Sequence, residues 1–257
     1  MITEILNNFQ LELILRGYTF KDKLKIIYRF FILVPLRKLG FTKKEILITM
    51  KNDDGIYLGG DKTIYEFGDK SGKVGEFLNL KKGVFIDVGA NLGKYTIMVG
   101  KKLKENGTVI SIEPEKQNIK LLNENIKING LKNVIVIEKA CSNKNGKSTL
   151  YLEGTTFGGT SHSLEKHKHH VGEIIVDIET LDSIISKLKF KRVNLVKIDV
   201  EGSELEVLHG AEKIITKYHP KIICESFDKE SEEKITNFLK KFKYQVKRID
   251  TQNIFAY

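Results

Sequence analysis

The chain is 257 residues long, 41% hydrophobic and 30% charged, with a formal net charge of +10 and two cysteines. That length supports one sizeable core with an appendage, and Cys141 and Cys224, each inside an apolar run, exclude a disulfide framework and read as buried free thiols of a reducing cytoplasm. Neither a secretory signal nor about 18 uninterrupted apolar residues occurs, and the dispersed positive charge favours anionic partners in general, from phosphate to lipid headgroups and nucleic acid, without selecting one.

Residues 2–15 place Ile2, Ile5, Leu6, Phe9, Leu13 and Ile14 at helical spacing, and Gly17 ends the pattern. A second helix is expected over 21–34, where Lys21, Lys23, Lys25 and Arg29 alternate with large apolar residues until Pro35 stops or bends it. With Arg37, Lys38, Lys43 and Lys44 following, residues 1–45 read either as a helical cap or dimer face, or as a helix lying in an anionic membrane interface. Residues 46–79 form a second region. There the period changes to two, and Asn52-Asp53-Asp54-Gly55 is the turn of a hairpin spanning 46–67, with a further turn at Gly59-Gly60-Asp61.

From residue 80 to 257, strands and helices alternate as a doubly wound α/β sheet requires. Val84 to Val88 is a buried strand that runs into a turn with glycines at 89 and 93, and helical character resumes at Tyr95. This is the geometry that dinucleotide folds use for pyrophosphate, yet the turn reads D-x-G-x-N-x-G where theirs reads G-x-G-x-x-G. The added carboxylate, Asp87, repels a pyrophosphate and suits a cationic ligand such as the ammonium and sulfonium of S-adenosylmethionine. About twenty residues past Gly93, the spacing of a ribose-binding acid, a second strand ends in Glu113. Pro114 suits the first position of the next helix, whose Ile119, Leu122 and Ile126 repeat until Gly130.

A strand over 134–137 leads to Ala140, Cys141 and Ser142 at the sheet's carboxyl edge. An insertion over 143–178 follows, with Ser148–Glu153 and Glu173–Ile178 as a strand pair around the Gly- and His-rich stretch 154–170. His167, His169 and His170 lack zinc-type spacing and an accompanying carboxylate pair, so no metal site is assigned; the stretch reads as a substrate lid with His162 as a contact. After a helix over 181–188, the strand 194–200 brings Lys197, Asp199 and Glu201 to one side by its period of two, and Ser203 with Glu206 forms a capping box. Glu225 ends the next strand and is a second substrate candidate. A helix over 230–242 and a pair of strands at the carboxyl terminus complete seven strands, the last antiparallel.

Three of these segments, DVGANLGKYT, ISIEPEKQNIKLLNENI and VKIDVEGSELEVLHGA, resemble in order and spacing the motifs of the FkbM family of S-adenosylmethionine-dependent methyltransferases. The resemblance covers about residues 80–227 and is silent on residues 1–45 and on the His-rich loop. It implies a Rossmann-like class I methyltransferase fold and O-methylation of a hydroxyl on a sugar, glycan, glycolipid or related metabolite. It further implies that Asp87, Gly89, Asn91 and Gly93 line the methionine end of the cofactor, with Ala90, Tyr95 and Thr96 as further cofactor-binding residues. Glu113, beside Pro114, would hold the ribose, and Ala140 and Ser142 would lie near the adenine.

Methyl transfer from a sulfonium is an in-line displacement, so positioning dominates and an alcohol acceptor needs a base. The expectation is that Asp199 stands between cofactor and acceptor, with Glu201 or a lysine of lowered pKa, Lys197, as base; a divalent cation on Asp199 and Glu201 is an open alternative. A nucleic-acid methyltransferase is the competing enzyme reading, against which no RNA-binding module or aromatic stacking platform is visible. A cofactor-fold binding protein without turnover, and association into homo-oligomers, also stay open.

Overall fold

The computed structural model describes residues 14–61, 73–152, 162–166 and 170–257. The helix expected over 2–15 lies outside this set except for its end, where the Gly17 N–H bonds the Ile14 carbonyl and Gly17 bridges to Met50. Helix α1 (Phe20–Tyr28) opens on a capping box: Thr19 Oγ1 accepts from the Asp22 N–H, and the Asp22 carboxylate accepts from the Thr19 N–H.

Pro35 does not stop the chain's helical course. A π-helical turn over Arg29–Leu33, with the Val34 N–H on the Arg29 carbonyl, widens the backbone ahead of it, and α2 (Val34–Lys38) continues with the proline in its first turn. β1 (Leu47–Lys51) and β2 (Ile56–Gly60) then form the expected hairpin, closed by the Asn52 N–H on the Gly55 carbonyl. The rest of the run to residue 67 lies outside the described residues. Short α3 (Val74–Phe77) precedes the main sheet.

The sheet domain runs β3 (Gly83–Val88), α4 (Lys94–Leu103), β4 (Gly107–Ile112), α5 (Lys116–Ile128) and β5 (Val134–Ile137). Next come β6 (Ala140–Cys141), β7 (Gly146–Leu152) and β8 (Gly172–Glu179), a separate three-stranded sheet in which β7 and β8 pair antiparallel. α6 (Leu181–Leu188), β9 (Leu195–Ile198), α7 (Glu204–His209), α8 (Glu212–Tyr218), β10 (Lys221–Glu225), α9 (Lys229–Lys241), β11 (Val246–Arg248) and β12 (Asn253–Ala256) complete the chain. The seven-stranded order is β5-β4-β3-β9-β10-β12-β11. β12 alone runs against the others, pairing antiparallel with both β10 and β11. The expected α/β sheet with an antiparallel last strand is therefore what forms.

Apolar layers cover both faces of the sheet. Ile86, Val196, Ile198 and Cys224 pack with α6, α7, α8 and α9 on one side, and Phe85, Val109 and Ile223 with Met98 and Val99 of α4 on the other. Both cysteines are buried free thiols, and no helix among the described residues is long and apolar enough to cross a membrane. Ile26, Ile48, Met50 and Tyr57 of the N-terminal region pack on Leu92, Ile97 and Leu121, which ties that region to the start of α4 and to α5.

Two helix starts differ from expectation. Pro114 stands ahead of α5, whose N-cap is Glu115, accepting from the Asn118 N–H at 2.7 Å. At α7, Ser203 makes no side-chain cap; the buried Glu204 carboxylate turns back to accept from the Val200 and Gly202 N–H groups. The carboxylate thus satisfies two loop donors at once, both of its oxygens accepting from Gly202.

Candidate active site

β3 lies between β4 and β9, so the chain leaves it on both sides and a crevice opens beyond its carboxyl end. The turn there is tight for a steric reason. Gly89 has φ +78, and a Cβ on it would lie 1.7 Å from the Asp199 carbonyl oxygen. A Gly89→Ala chain is expected to lose at least about 1 kcal/mol of stability in urea unfolding; an unchanged midpoint would contradict this close approach.

The turn's donors face inward. The Gly89 and Ala90 N–H groups both bond the Ile112 carbonyl, Gly93 N–H bonds Ala90, and the left-handed Asn91 gives its N–H to Glu113 at 2.9 Å. These four groups are therefore not free to cradle a pyrophosphate.

A cavity of about 360 Å³ fills the crevice, within the range of small-molecule sites. Glu113 stands at one end and receives three donors: Asn91 N–H, Glu115 N–H at 3.0 Å and Asn118 Nδ2 at 3.2 Å. Two carboxylate oxygens offer about four lone-pair sites, so capacity for a ligand hydroxyl remains. Burial pushes this carboxyl up to about 7 despite those three hydrogen bonds. Lys139, on the same wall, pairs at 2.5 Å with Glu179, which also accepts from Lys187 and Ser183. Burial opposes the Glu179 charge, yet the two ammonium groups and the hydroxyl outweigh it and hold the carboxyl down at about 2.

The other end is built by β9 and β10. Lys197 is 1% exposed, directly opposite Asp87 on β3 and Ile223 on β10. Its Nζ lies 2.5 Å from Asp199 Oδ2 and 4.4 Å from the Tyr95 ring centre. Burial works against the ammonium, but Asp199, Tyr95 and Asp87 outweigh it and raise the Lys197 pKa above its ordinary value. Lys197 is consequently a fixed cation, which corrects the expectation of a lysine base of lowered pKa.

The register that sets Cys224 beside Ile198 brings Glu225 next to Asp199, and the two carboxyls are hydrogen-bonded. Burial and the Asp199 charge raise Glu225, so this pair retains one proton, while Lys197 holds Asp199 charged. Glu201 completes the group in a left-handed backbone conformation (φ +59), its carbonyl accepting from Ser163 Oγ at 2.6 Å. Strain of that kind at a strand end is common where a side chain must be aimed. Carboxylate oxygens of Asp199, Glu201 and Glu225 lie within 4.8 Å of one another, close enough to share a cation.

Gly89, Ala90, Asn91, Tyr95, Glu113, Pro114, Ala140, His162, Asp199, Glu201 and Glu225 all line the cavity. Asp87, Gly93, Thr96, Ser142 and Lys197 are not among its walls. Asp87, Thr96, Ser111 and Lys197 form a buried polar row beneath the turn, with Thr96 Oγ1 at 2.7 Å from both Asp87 Oδ2 and Ser111 Oγ. Burial raises Asp87 to about 6, against the opposing pull of Lys197 and Thr96. Ser142 is buried, its N–H directed to the Glu179 carbonyl.

Sequence reasoning missed Lys94, Asn118, Lys139, Leu150, Leu164 and Gln252 as walls. Lys94 and Asn118, each inside a recognised block, were the findable ones. Most of the expected lid, including His167 and His169, lies outside the described residues; His170 packs edge-on against Tyr151.

The sheet order, the crevice at the switch point and its acidic lining define the class I methyltransferase fold. Residues 87–246 match the family model described as the methyltransferase FkbM domain, more than half of the sequence, and the chain belongs to that family. A curated relative from Beauveria bassiana (strain ARSEF 2860), "Methyltransferase 1", is 28% identical over 142 residues, 49% of this chain and 57% of that protein. The crystal structure of methyltransferase FkbM from Methylobacillus flagellatus KT superposes with a TM-score of 0.53 at 15% identity, covering 97% of this chain and 58% of that one, a likeness of fold. The chain thus spans a little under three fifths of the length of either protein.

Proposed function

We propose that this protein transfers the methyl group of S-adenosylmethionine to a hydroxyl oxygen of a sugar, glycan, glycolipid or related metabolite. The observation that carries the reading is a single cavity with a hydrogen-bonded carboxylate at one end and a carboxylate cluster at the other. Four acidic side chains, Glu113, Asp199, Glu201 and Glu225, line it with two lysines, Lys94 and Lys139, of which Lys139 is paired with Glu179, a balance that suits a ligand with cationic groups and opposes a dinucleotide.

The residues present fit the cofactor. Glu113 has acceptor capacity for ribose hydroxyls, and Asn91 Oδ1, buried without a hydrogen-bond partner, stands beside it, with Asn118 holding the carboxylate through its Nδ2. When bound, the cofactor supplies a methyl group activated by a sulfonium leaving group. The chain supplies placement and a proton acceptor: Asp199, held charged by Lys197, orients the acceptor hydroxyl, and Glu201 takes its proton. Asp199 is already matched by an ammonium and shares a proton with Glu225, which favours this acid–base reading over a cation bridging the cluster.

Affinity should depend on pH through Glu113. Its carboxyl, raised to about 7 in the free protein, would gain hydroxyl donors that favour the charged form, so binding expels a proton. Affinity for S-adenosylhomocysteine is expected to rise with pH below 7, by up to about tenfold per unit, and to level off above it. The stability of the free protein is expected to have the opposite sign. Stability stored in protonated Asp87 and Glu113 is complete below their unfolded values and is lost as pH rises through about 6 and about 7. Titration calorimetry in buffers of different ionisation enthalpy checks the proton release, and a flat affinity across this range would remove Glu113 from the ribose role.

The reaction itself is tested by incubation with methyl-tritiated S-adenosylmethionine and pools of sugars, glycolipids and RNA. Label recovered as an O-methyl ether of a sugar supports the proposal. Label confined to RNA would replace it with the nucleic-acid reading.

A further inference from the structure

Helix α1 and its π-helical continuation carry two faces. Asp22, Ile26, Arg29 and Leu33 point inward, while Phe20, Leu24, Tyr28, Phe31 and Ile32 form an exposed stripe at spacings of three and four residues. Leu39 and Phe41 extend the surface at 69% and 76% exposure, beside Phe20 at 76%. Scattered exposed apolar residues need no explanation, but a continuous stripe along one element marks an interaction surface.

The face is held in place from behind. The Arg37 guanidinium grips the fully buried Asp61 carboxylate at 2.7 and 3.0 Å, and Arg29 Nε bonds the Asp61 carbonyl at 2.7 Å. None of residues 14–61 lines the cavity among the described walls, so this outward face is separate from the site.

Charge selects the occupant. Residues 14–44 carry nine lysines and arginines and a single acidic residue, Asp22, which is buried in the capping box of α1. Lys21, Lys38, Lys43 and Lys44 are exposed around the apolar stripe. Joining this face to a second copy would bring two lysine rims together, and no exposed carboxylate within the segment could answer them. A bilayer surface provides both acyl contacts for the stripe and anionic headgroups for the rim, the arrangement of an interfacial helix lying in the membrane plane.

We propose that the outward face of α1, the π-helical turn and α2, continued to Phe41, docks the protein on an anionic membrane surface. This inference stands apart from the methyl-transfer reading.

Its test is co-sedimentation of the full chain with phosphatidylcholine vesicles prepared with and without phosphatidylglycerol. Two variants accompany it: one carrying Phe20→Asp, Phe31→Asp and Phe41→Asp, the other Lys38→Glu, Lys43→Glu and Lys44→Glu. All six positions are solvent-exposed, so both chains should fold, as circular dichroism and S-adenosylhomocysteine binding will confirm. The wild type should partition onto phosphatidylglycerol vesicles in a salt-sensitive way, and each variant should lose at least about tenfold in partitioning. No vesicle binding by the wild type overturns the proposal, as does binding unchanged in both variants. A wild-type dimer in light scattering, dissociated by the Phe variant and indifferent to vesicles, would assign the face to a second copy instead.

Discussion

A Glu201→Gln chain is expected to turn over about 10²- to 10⁴-fold more slowly than the wild type, the contribution of a positioned general base, while binding S-adenosylhomocysteine with nearly unchanged affinity. The separation follows from the site's two ends. Glu113 and the Asn91 turn occupy one, and Glu201, aimed by a left-handed backbone and a carbonyl tied to Ser163, occupies the other. Amide for carboxylate keeps the shape and removes the proton acceptor. Single-turnover kinetics with a responsive acceptor, beside calorimetric titration of the product cofactor, reads both quantities. Wild-type turnover in the variant would take the base role from Glu201, and equal losses in binding and turnover would make it a binding residue.

The second large effect is on stability. Lys197→Met removes the only ammonium in direct contact with Asp199 among the described ion pairs and leaves Asp87 and Asp199 without their common cation. Breaking a buried pair by removing one partner typically costs about 3–5 kcal/mol. Urea unfolding at pH 8 should show a loss of that order. The pH dependence supplies a signature that simple cavity formation lacks: with Lys197 gone, Asp87 shifts further upward and Asp199 loses the ammonium that holds it down, so the loss should be smaller at pH 5, where the carboxyls protonate more readily, than at pH 8. Adding Asp87→Asn should restore part of the stability at pH 8. A Lys197→Met chain within about 1 kcal/mol of wild type would show that the buried row is tolerant of charge imbalance.

These expectations rest unevenly on the sequence. Strand β3, its glycine turn and Glu113 were legible because local pattern and chemistry coincide there: a buried apolar run, positive-φ glycines and a carboxylate at a fixed interval. The seven-stranded sheet followed from alternating periods. Asp87 shows where one-dimensional reasoning stops. Its place at the mouth of the turn suggested contact with the cofactor, but the side chain points to the layer below, to Thr96 and Lys197. Alternation along a strand tells which residues share a face, not which of two faces holds the ligand.

Glu225 next to Asp199 needed more than either strand's own pattern. It depends on the register of β10 against β9, two strands joined through α7 and α8. Glu204 was hidden for another reason. The string S-E-L-E fits a capping box at Ser203 and Glu206, and only the loop's unpaired N–H groups reveal that Glu204 is the residue they require. The π-helical turn before Pro35 likewise has no sequence signature beyond the proline itself.

The most direct measurement is isothermal titration of the full chain with S-adenosylhomocysteine, S-adenosylmethionine and NAD, alongside a Glu113→Ala control. The account predicts binding of the first two and not of NAD, with affinity reduced about a hundredfold in the control through the loss of charge-assisted hydrogen bonds to the ribose. Binding of NAD, or of none of the three, would contradict it.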